Sequence, residues 1–498
     1  MLITVVNKQK VFVLQSLQIL LYEVYVHSGL LLYAVLAVTR TVFPKQVYRR
    51  IRSPTIVRLL LRTQVKASLS YLNTMLAKFR PICYNAKELI SMRLIREHYL
   101  QLLRPYYETD LIKVITGVRR AGKSILLECI RDELIQRGVH TDHIIFMNLE
   151  DLDYEYIQTA SDLHVDIKAR INDSGKYYIF LDEIQHIEHF EKALASFRAS
   201  LNVSIFVTGS NSTLLSGELS TLLTGRAVEF EVLPFSFSET KEYFEGNGFS
   251  FTEEFIFEYL KWGGFPLRFE FLGNEESTRR YLTNLYDSII TKDIIKKSRG
   301  IDKKAFRDIS LYILANAGKE FSAENIANYY NAKNNRKITS RTVYNYLDKM
   351  EKSYLLHAVK RYKLVGKSAL QGREKFYAID MGFRTINTNT VNFDDTFFLE
   401  NIVYNELLFQ GFTVFTGKTY KSEVDFVAIR EGKKCFIQVS YLMSTQQTID
   451  REFGAFSPIT DASPKYVLSL DKLDLSRNGI GHVNLIDWLL HKVDLSLT

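Results

Sequence analysis

The chain has 498 residues, 46% hydrophobic and 24% charged, a balance suited to a soluble globular protein of about two to four domains. Its three cysteines, Cys83, Cys129 and Cys435, lie far apart without metal-ligand spacing, which excludes a disulfide scaffold or zinc finger and fits a reducing cytoplasm. The formal net charge of +8 sits in the first 91 residues, where thirteen Lys/Arg face only Glu23 and Glu88, so it gives no ground for nucleic-acid binding by the rest.

Residues 1–91 form a basic and apolar extension. Residues 24–39 are uncharged, but that run is shorter than the ~20 residues a spanning helix needs, and no membrane segment is expected. The expectation is that the functional protein begins near Met92 and that 1–91 is a dispensable or mis-assigned leader.

From 92 to 235 the pattern alternates helix and strand, which predicts an α/β domain with a parallel sheet covered on both faces. Within it, "KVITGVRRAGKS" places Gly117, four residues, then Gly122, Lys123 and Ser124 between an apolar strand and the helix "SILLECIRDELIQ". That is the setting of a P-loop. Glycines allow a tight turn whose N–H groups face phosphate oxygens, and the helix dipole adds to the field. Gly117, Val118, Arg119, Arg120, Ala121, Gly122, Lys123, Ser124 and Ile125 are therefore the expected ATP cradle. Lys123 would reach the β- and γ-phosphates, and Ser124 would ligate Mg²⁺.

"KYYIFLDEIQHI" ends an apolar strand in Asp182 and Glu183. Asp182 is expected to hold the metal, and Glu183 to orient or deprotonate the attacking water. "VSIFVTGSNS" offers Ser210 or Asn211 as a γ-phosphate sensor, or closes an ordinary polar turn. A Leu-rich helix follows at 213–224, then Arg226 before the strand "AVEFEVLPF". Arg226 would stabilise the phosphoryl group of an adjacent subunit, or form a local salt bridge.

Residues 236–305 are expected to be a helical lid, broken by "GGFP" at 263–266. Residues 306–385 resemble a winged helix, with Ser322 and Thr339 or Ser340 as N-caps and two strands as a wing. Its second helix offers Arg341, Tyr344, Asn345 and Lys349 toward DNA, although Asp348 and Glu351 interrupt that face. Residues 386–498 have the layout of a metal-dependent nuclease core around Glu400 and Asp425. Gln438 and Ser440 stand where Glu and Lys would be needed, so this region is expected to be catalytically dead.

"ITGVRRAGKS", "YYIFLDEIQHI", "FVTGSNSTLLSGELSTLLTGR", "LPFSFSE", "GGFP", "KFYAIDMGFR" and "EVDFVAI…FIQVSY", in this order, resemble the prokaryotic AAA-type ATPases with a C-terminal winged helix and a degenerate restriction-endonuclease-like domain. The resemblance runs from Met92 to the C-terminus. It implies Mg²⁺-dependent ATP hydrolysis, and it makes Pro266 an expected contact near the adenine. The leading expectation is an ATP-driven switch or motor. A DNA-binding or DNA-processing ATPase and an ATP-gated adaptor for another protein, with assembly into homo-oligomers, remain as alternatives.

Overall fold

The computed structural model describes residues 93–212, 225–298, 300–334, 337–363, 369–386, 396–418 and 423–497. The extension 1–91 and the Leu-rich helix at 213–224 lie outside them. All described residues belong to the unit Arg93–Thr498.

After helix α1 (Glu97–Leu103), five short strands build the first sheet: β1 (Ile112–Thr116), β2 (Ile144–Asn148), β3 (Tyr177–Asp182), β4 (Val203–Thr208) and β5 (Ala227–Glu231). All neighbouring strands are parallel, in the order β2-β3-β4-β1-β5. β1, β3 and β4 are buried along their whole length. Alternate residues serve opposite faces. Ile115, Phe180 and Phe206 pack under α2 (Lys123–Gln136) with Leu126, Leu127 and Ile130. Ile112, Ile179 and Ile205 face the other way, onto α3 (Ala160–Arg170) and α4 (Phe190–Ser200). Each fully buried side chain of this size contributes about 1.5–3 kcal/mol, so the two apolar faces fix the sheet between its helices. The α/β expectation for this region is met.

The lid region is helical: α5 (Phe237–Gly246), α6 (Phe255–Trp262) and α7 (Glu275–Ser288), the last running on into a π-helical segment, Ile289–Ile295. Ser236 and Glu239 close a capping box on α5. Glu239 also pairs with buried Arg96 at 2.6 Å, stitching the segment before α1 to the root of the lid.

Three helices follow: α8 (Lys303–Ala315), α9 (Ala323–Lys333) and α10 (Ser340–Lys352). Ser322 and Thr339 are the N-caps of α9 and α10. α10 buries Val343, Tyr346, Leu347 and Met350 at helical spacing. β6 (Leu356–Lys363) and β7 (Ala369–Ala378), the strand pair expected as a wing, pair antiparallel with each other and also belong to a seven-stranded mixed sheet. That sheet continues through α11 (Met381–Thr385), α12 (Thr396–Phe409), β8 (Thr413–Lys418), β9 (Glu423–Arg430), β10 (Lys433–Val439), α13 (Gln446–Gly454), β11 (Lys465–Ser469), β12 (Gly481–Asn484) and α14 (Leu485–Leu489), in the order β12-β11-β10-β9-β8-β6-β7. β6 lies parallel to β8, Arg361 opposite Thr416. No local pattern in β6 announces this partner, because the pairing spans three intervening elements, β7, α11 and α12.

Candidate nucleotide site

The loop between β1 and α2 owes its shape to three positive-φ residues: Gly117 (129°), Arg120 (69°) and Gly122 (102°). A Cβ on Gly117 would stand 2.3 Å from the Val232 carbonyl oxygen, so only glycine lets the loop pass the end of β5. Gly122 is the N-cap of α2, with no side-chain cap and no acid in the first turn. The first-turn N–H groups therefore lack the usual side-chain acceptor, as a phosphate-binding terminus requires. Val118 and Ala121 are buried, Ser124 is half-buried, and Arg120 and Ile125 are exposed.

Lys123 is buried, and its Nζ donates to the carbonyls of Gly117 (2.9 Å) and Val118 (3.0 Å). Burial pushes this ammonium below its usual range, while the charges of Glu183, Asp182 and Asp293 oppose the push. The lysine is thus parked on two neutral oxygens inside a ring of carboxylates.

Asp182, at the C-terminal end of β3, is buried and accepts a hydrogen bond from the Thr208 hydroxyl. Thr208 Oγ1 in turn accepts from the Glu183 N–H at 2.9 Å. Glu183 sits in the left-handed region at φ 55°, a conformation that costs a non-glycine residue about 1 kcal/mol or more. Thr208, one hydroxyl tied to both acids, was not singled out in the sequence because it reads as the last residue of a β-branched strand.

Ser210, 1% exposed, donates its hydroxyl to Asp293 at 3.1 Å, and Asn211 beside it is also buried. Asp293 lies in the π-helical segment and receives Arg119 Nε at 3.1 Å as well. Burial disfavours the charge of Arg119, yet Asp293 holds its guanidinium above the ordinary value. Arg226 is exposed at the N-terminal start of β5, where its carbonyl accepts from Ile112 N–H. The P-loop leaves the opposite end of parallel β1, so Arg226 stands across the sheet from the P-loop of its own chain.

Pro266 opens the short 3₁₀ helix Pro266–Phe271. The preceding turn is a packing joint. Gly264 N–H donates to Asp380 at 2.6 Å, Phe235 N–H donates to the Gly264 carbonyl at 2.8 Å, and Arg268 Nε to that of Gly263 at 2.6 Å. Burial lifts Asp380 to about 7. The lid also brings Tyr281 toward the charge of Arg120, and its hydroxyl is buried without a hydrogen-bond partner.

In the second sheet, Lys375 Nζ lies 2.7 Å from Glu423 and 3.4 Å from Glu400, and Tyr377 OH donates to Glu400 at 3.2 Å. Asp425 accepts from Val439 N–H at 2.8 Å, and burial, with Glu400 nearby, raises its pKa well above the carboxylate range. A lysine from β7 therefore sits among the acids, a contribution that the residue spacing in β10 does not reveal. Among the described residues no group of three or more His, Cys, Asp or Glu could hold a metal ion. At the P-loop the features that suit a triphosphate are an uncapped helix start and a lysine hydrogen-bonded to two backbone carbonyls.

A family model described as an AAA domain matches residues 109–241, the stretch containing the first sheet. An uncharacterized protein of Haemophilus influenzae is 34% identical over 401 residues, covering 79% of this chain and 98% of that protein. An uncharacterized protein of Methanocaldococcus jannaschii is 31% identical over 367 residues, covering 69% and 78%. The chain belongs to this family of AAA-domain proteins. A second family model, described as a domain of unknown function, matches residues 253–392, from the lid into the start of the seven-stranded sheet block. Among solved structures, a Walker-type ATPase of Pyrococcus abyssi is similar at 18% identity and TM-score 0.43, covering 59% of this chain and 95% of that one. No helix among the described residues is long and apolar enough to cross a membrane.

Proposed function

We propose that this AAA-domain protein is a Mg²⁺-dependent, cytoplasmic ATPase, a switch or motor whose nucleotide state repositions its C-terminal region. One observation carries the reading: Lys123 rests on two carbonyls, free to be redirected, with the Asp182–Glu183 pair close enough to bias its charge. Val118 to Ile125 would wrap the phosphates with backbone N–H groups, and Lys123 would turn from the Gly117 and Val118 carbonyls toward them. Ser124 and Asp182 would hold Mg²⁺, which supplies charge neutralisation at the phosphate oxygens. Glu183, fixed through its N–H by Thr208, would orient the attacking water and take its proton. Ser210 and Asn211 would sense the γ-phosphate. Arg226 would act on a neighbouring copy in a homo-oligomer, and Pro266 would lie near the adenine.

In this reading residues 92–235 are the ATPase domain, 236–305 the lid, 306–385 a winged-helix-like region and 386–498 a degenerate nuclease-like region. Phosphate release by the full chain tests it, with Lys123→Ala and Glu183→Gln as controls. Turnover by Lys123→Ala at the wild-type rate defeats it.

A DNA-binding ATPase is the second reading, favoured by the outer face of α10, where Arg341, Tyr344 and Asn345 are exposed. Lys349, expected on that face, instead donates to Ser298 at 2.9 Å. Salt-sensitive duplex binding that weakens on Arg341→Ala would support it. Nucleotide-dependent capture of a protein partner with no DNA affinity would favour the adaptor.

A further inference from the structure

The segment Ile289–Ile295 is π-helical, a geometry that recurs where a helix is distorted for a local purpose. Its buried residues are Ile289, Ile290, Asp293 and Ile294. A carboxylate in an apolar stripe is costly unless paired. Asp293 meets that cost only by turning toward the P-loop. Its Oδ2 accepts Arg119 Nε and its Oδ1 accepts Ser210 Oγ, both at 3.1 Å, while its charge is felt by Lys123. On the outside, Lys292 and Arg119 share Glu150, at 3.2 and 3.9 Å.

A guanidinium and a hydroxyl converging on one oxyanion, within electrostatic reach of the Lys123 ammonium, form a recognition set that suits a phosphate as well as it suits a carboxylate. We infer that Arg119 and Ser210 form a subsite for the terminal phosphate of a nucleoside triphosphate, held in this state by the carboxylate of Asp293 as an internal competitor. This rests on the nucleotide reading above and adds its regulation. A terminal phosphate taking Arg119 and Ser210 leaves Asp293 buried with a like charge and without those two donors, so the carboxylate must leave. Ile290 and Ile294 share its stripe and move with it. The displacement reaches further because the segment continues α7, whose Arg279 donates to the carbonyls of Thr385 (2.9 Å) and Ile386 (3.0 Å) at the end of α11. A diphosphate, lacking the third phosphate, does not force this exchange.

The test uses the full chain with fluorescent ATP and ADP analogues on wild type, Lys123→Ala and Asp293→Asn. Asparagine keeps the shape and removes the competing charge. The expected result is about tenfold tighter ATP binding by Asp293→Asn, with ADP affinity changed less than about threefold. A second measurement, hydrogen exchange of wild type, should show faster exchange of the 289–295 amides with ATP than with ADP. Unchanged or weaker ATP binding by a folded Asp293→Asn overturns the inference while leaving the nucleotide reading intact, and so does exchange at 289–295 that ignores ATP. Should Asp293→Asn fail to fold, the exchange measurement decides alone. Wild type and Lys123→Ala binding ATP equally would remove the nucleotide reading and this inference with it.

Discussion

Both sheets surround a buried lysine with acids, yet they treat it in opposite ways. At the end of the parallel sheet, Lys123 leans on two carbonyl oxygens, and Asp182 is engaged by a neutral hydroxyl. In the seven-stranded sheet, Lys375 contacts Glu423 and Glu400 directly, and Tyr377 takes up a further bond to Glu400. The first arrangement leaves its lysine on neutral oxygens, with no carboxylate in direct contact among the described residues. The second is closed on itself, its ammonium paired directly with carboxylates. Residue type alone does not distinguish them; what matters is whether the cation's partners are neutral or charged.

The largest effect should separate the two lysines by stability. Lys375→Met breaks a buried pair and is expected to cost about 3–5 kcal/mol, with most of it recovered in Lys375→Met/Glu400→Gln. Lys123→Met should change stability by less than about 1 kcal/mol, since it removes a desolvated ammonium held by carbonyls alone. Denaturant unfolding of the three variants checks both, and equal losses at the two sites would dissolve the contrast. Activity should show the reverse order. Lys123→Ala or Glu183→Gln should lower phosphate release about 10²–10³-fold, whereas the Lys375→Met/Glu400→Gln double variant should keep its turnover.

Asp380 belongs to neither type, being a carboxylate held chiefly by two backbone N–H groups, from Gly264 and Gly382. Its pKa rises from 3.8 to about 7 because burial penalises the charge. The folded state therefore binds the proton more tightly than the unfolded chain. The resulting stability is fully present below 3.8 and is lost as the pH climbs through about 7. Asp380→Asn should flatten that slope, a change on the order of 4 kcal/mol across the window, read from unfolding curves at successive pH values. The smallest effect is expected at Thr208. Thr208→Val removes the hydroxyl that holds the Asp182 carboxylate and the Glu183 N–H and should lower kcat about tenfold, roughly 1.4 kcal/mol, with KM little altered.

The parallel sheet and its loop were readable because their signals are local. Apolar runs, a glycine spacing and a strand ending in two acids are each written in one short stretch of consecutive residues. Asp293 was not readable. It meets Arg119 across 174 positions of chain, and in "TKDII" it looks like one acid on an amphipathic helix. Lys375 escaped notice for the same reason: the spacing in β10 pointed to Ser440, while the charge arrived from another strand. At the lid turn, "GGFP" read as a breaker. Its glycines are in fact demanded by close approach, since a Cβ on Gly264 would meet the Phe235 carbonyl oxygen at 2.0 Å.

The lateral bond between β6 and β8 governs how the C-terminal half can be divided. Cutting the chain after residue 386 would strip β8 of its neighbour and bare a row of unsatisfied amides and carbonyls, an adhesive border prone to self-association. The same bond ties α10 into the second sheet. It runs into β6 through Leu355, whose N–H is held by the Met350 carbonyl, and β6 touches the first sheet where His357 meets Glu231 at 2.8 Å. Through β6, α10 is thereby tethered to the edge strand of the first sheet as well as to its own.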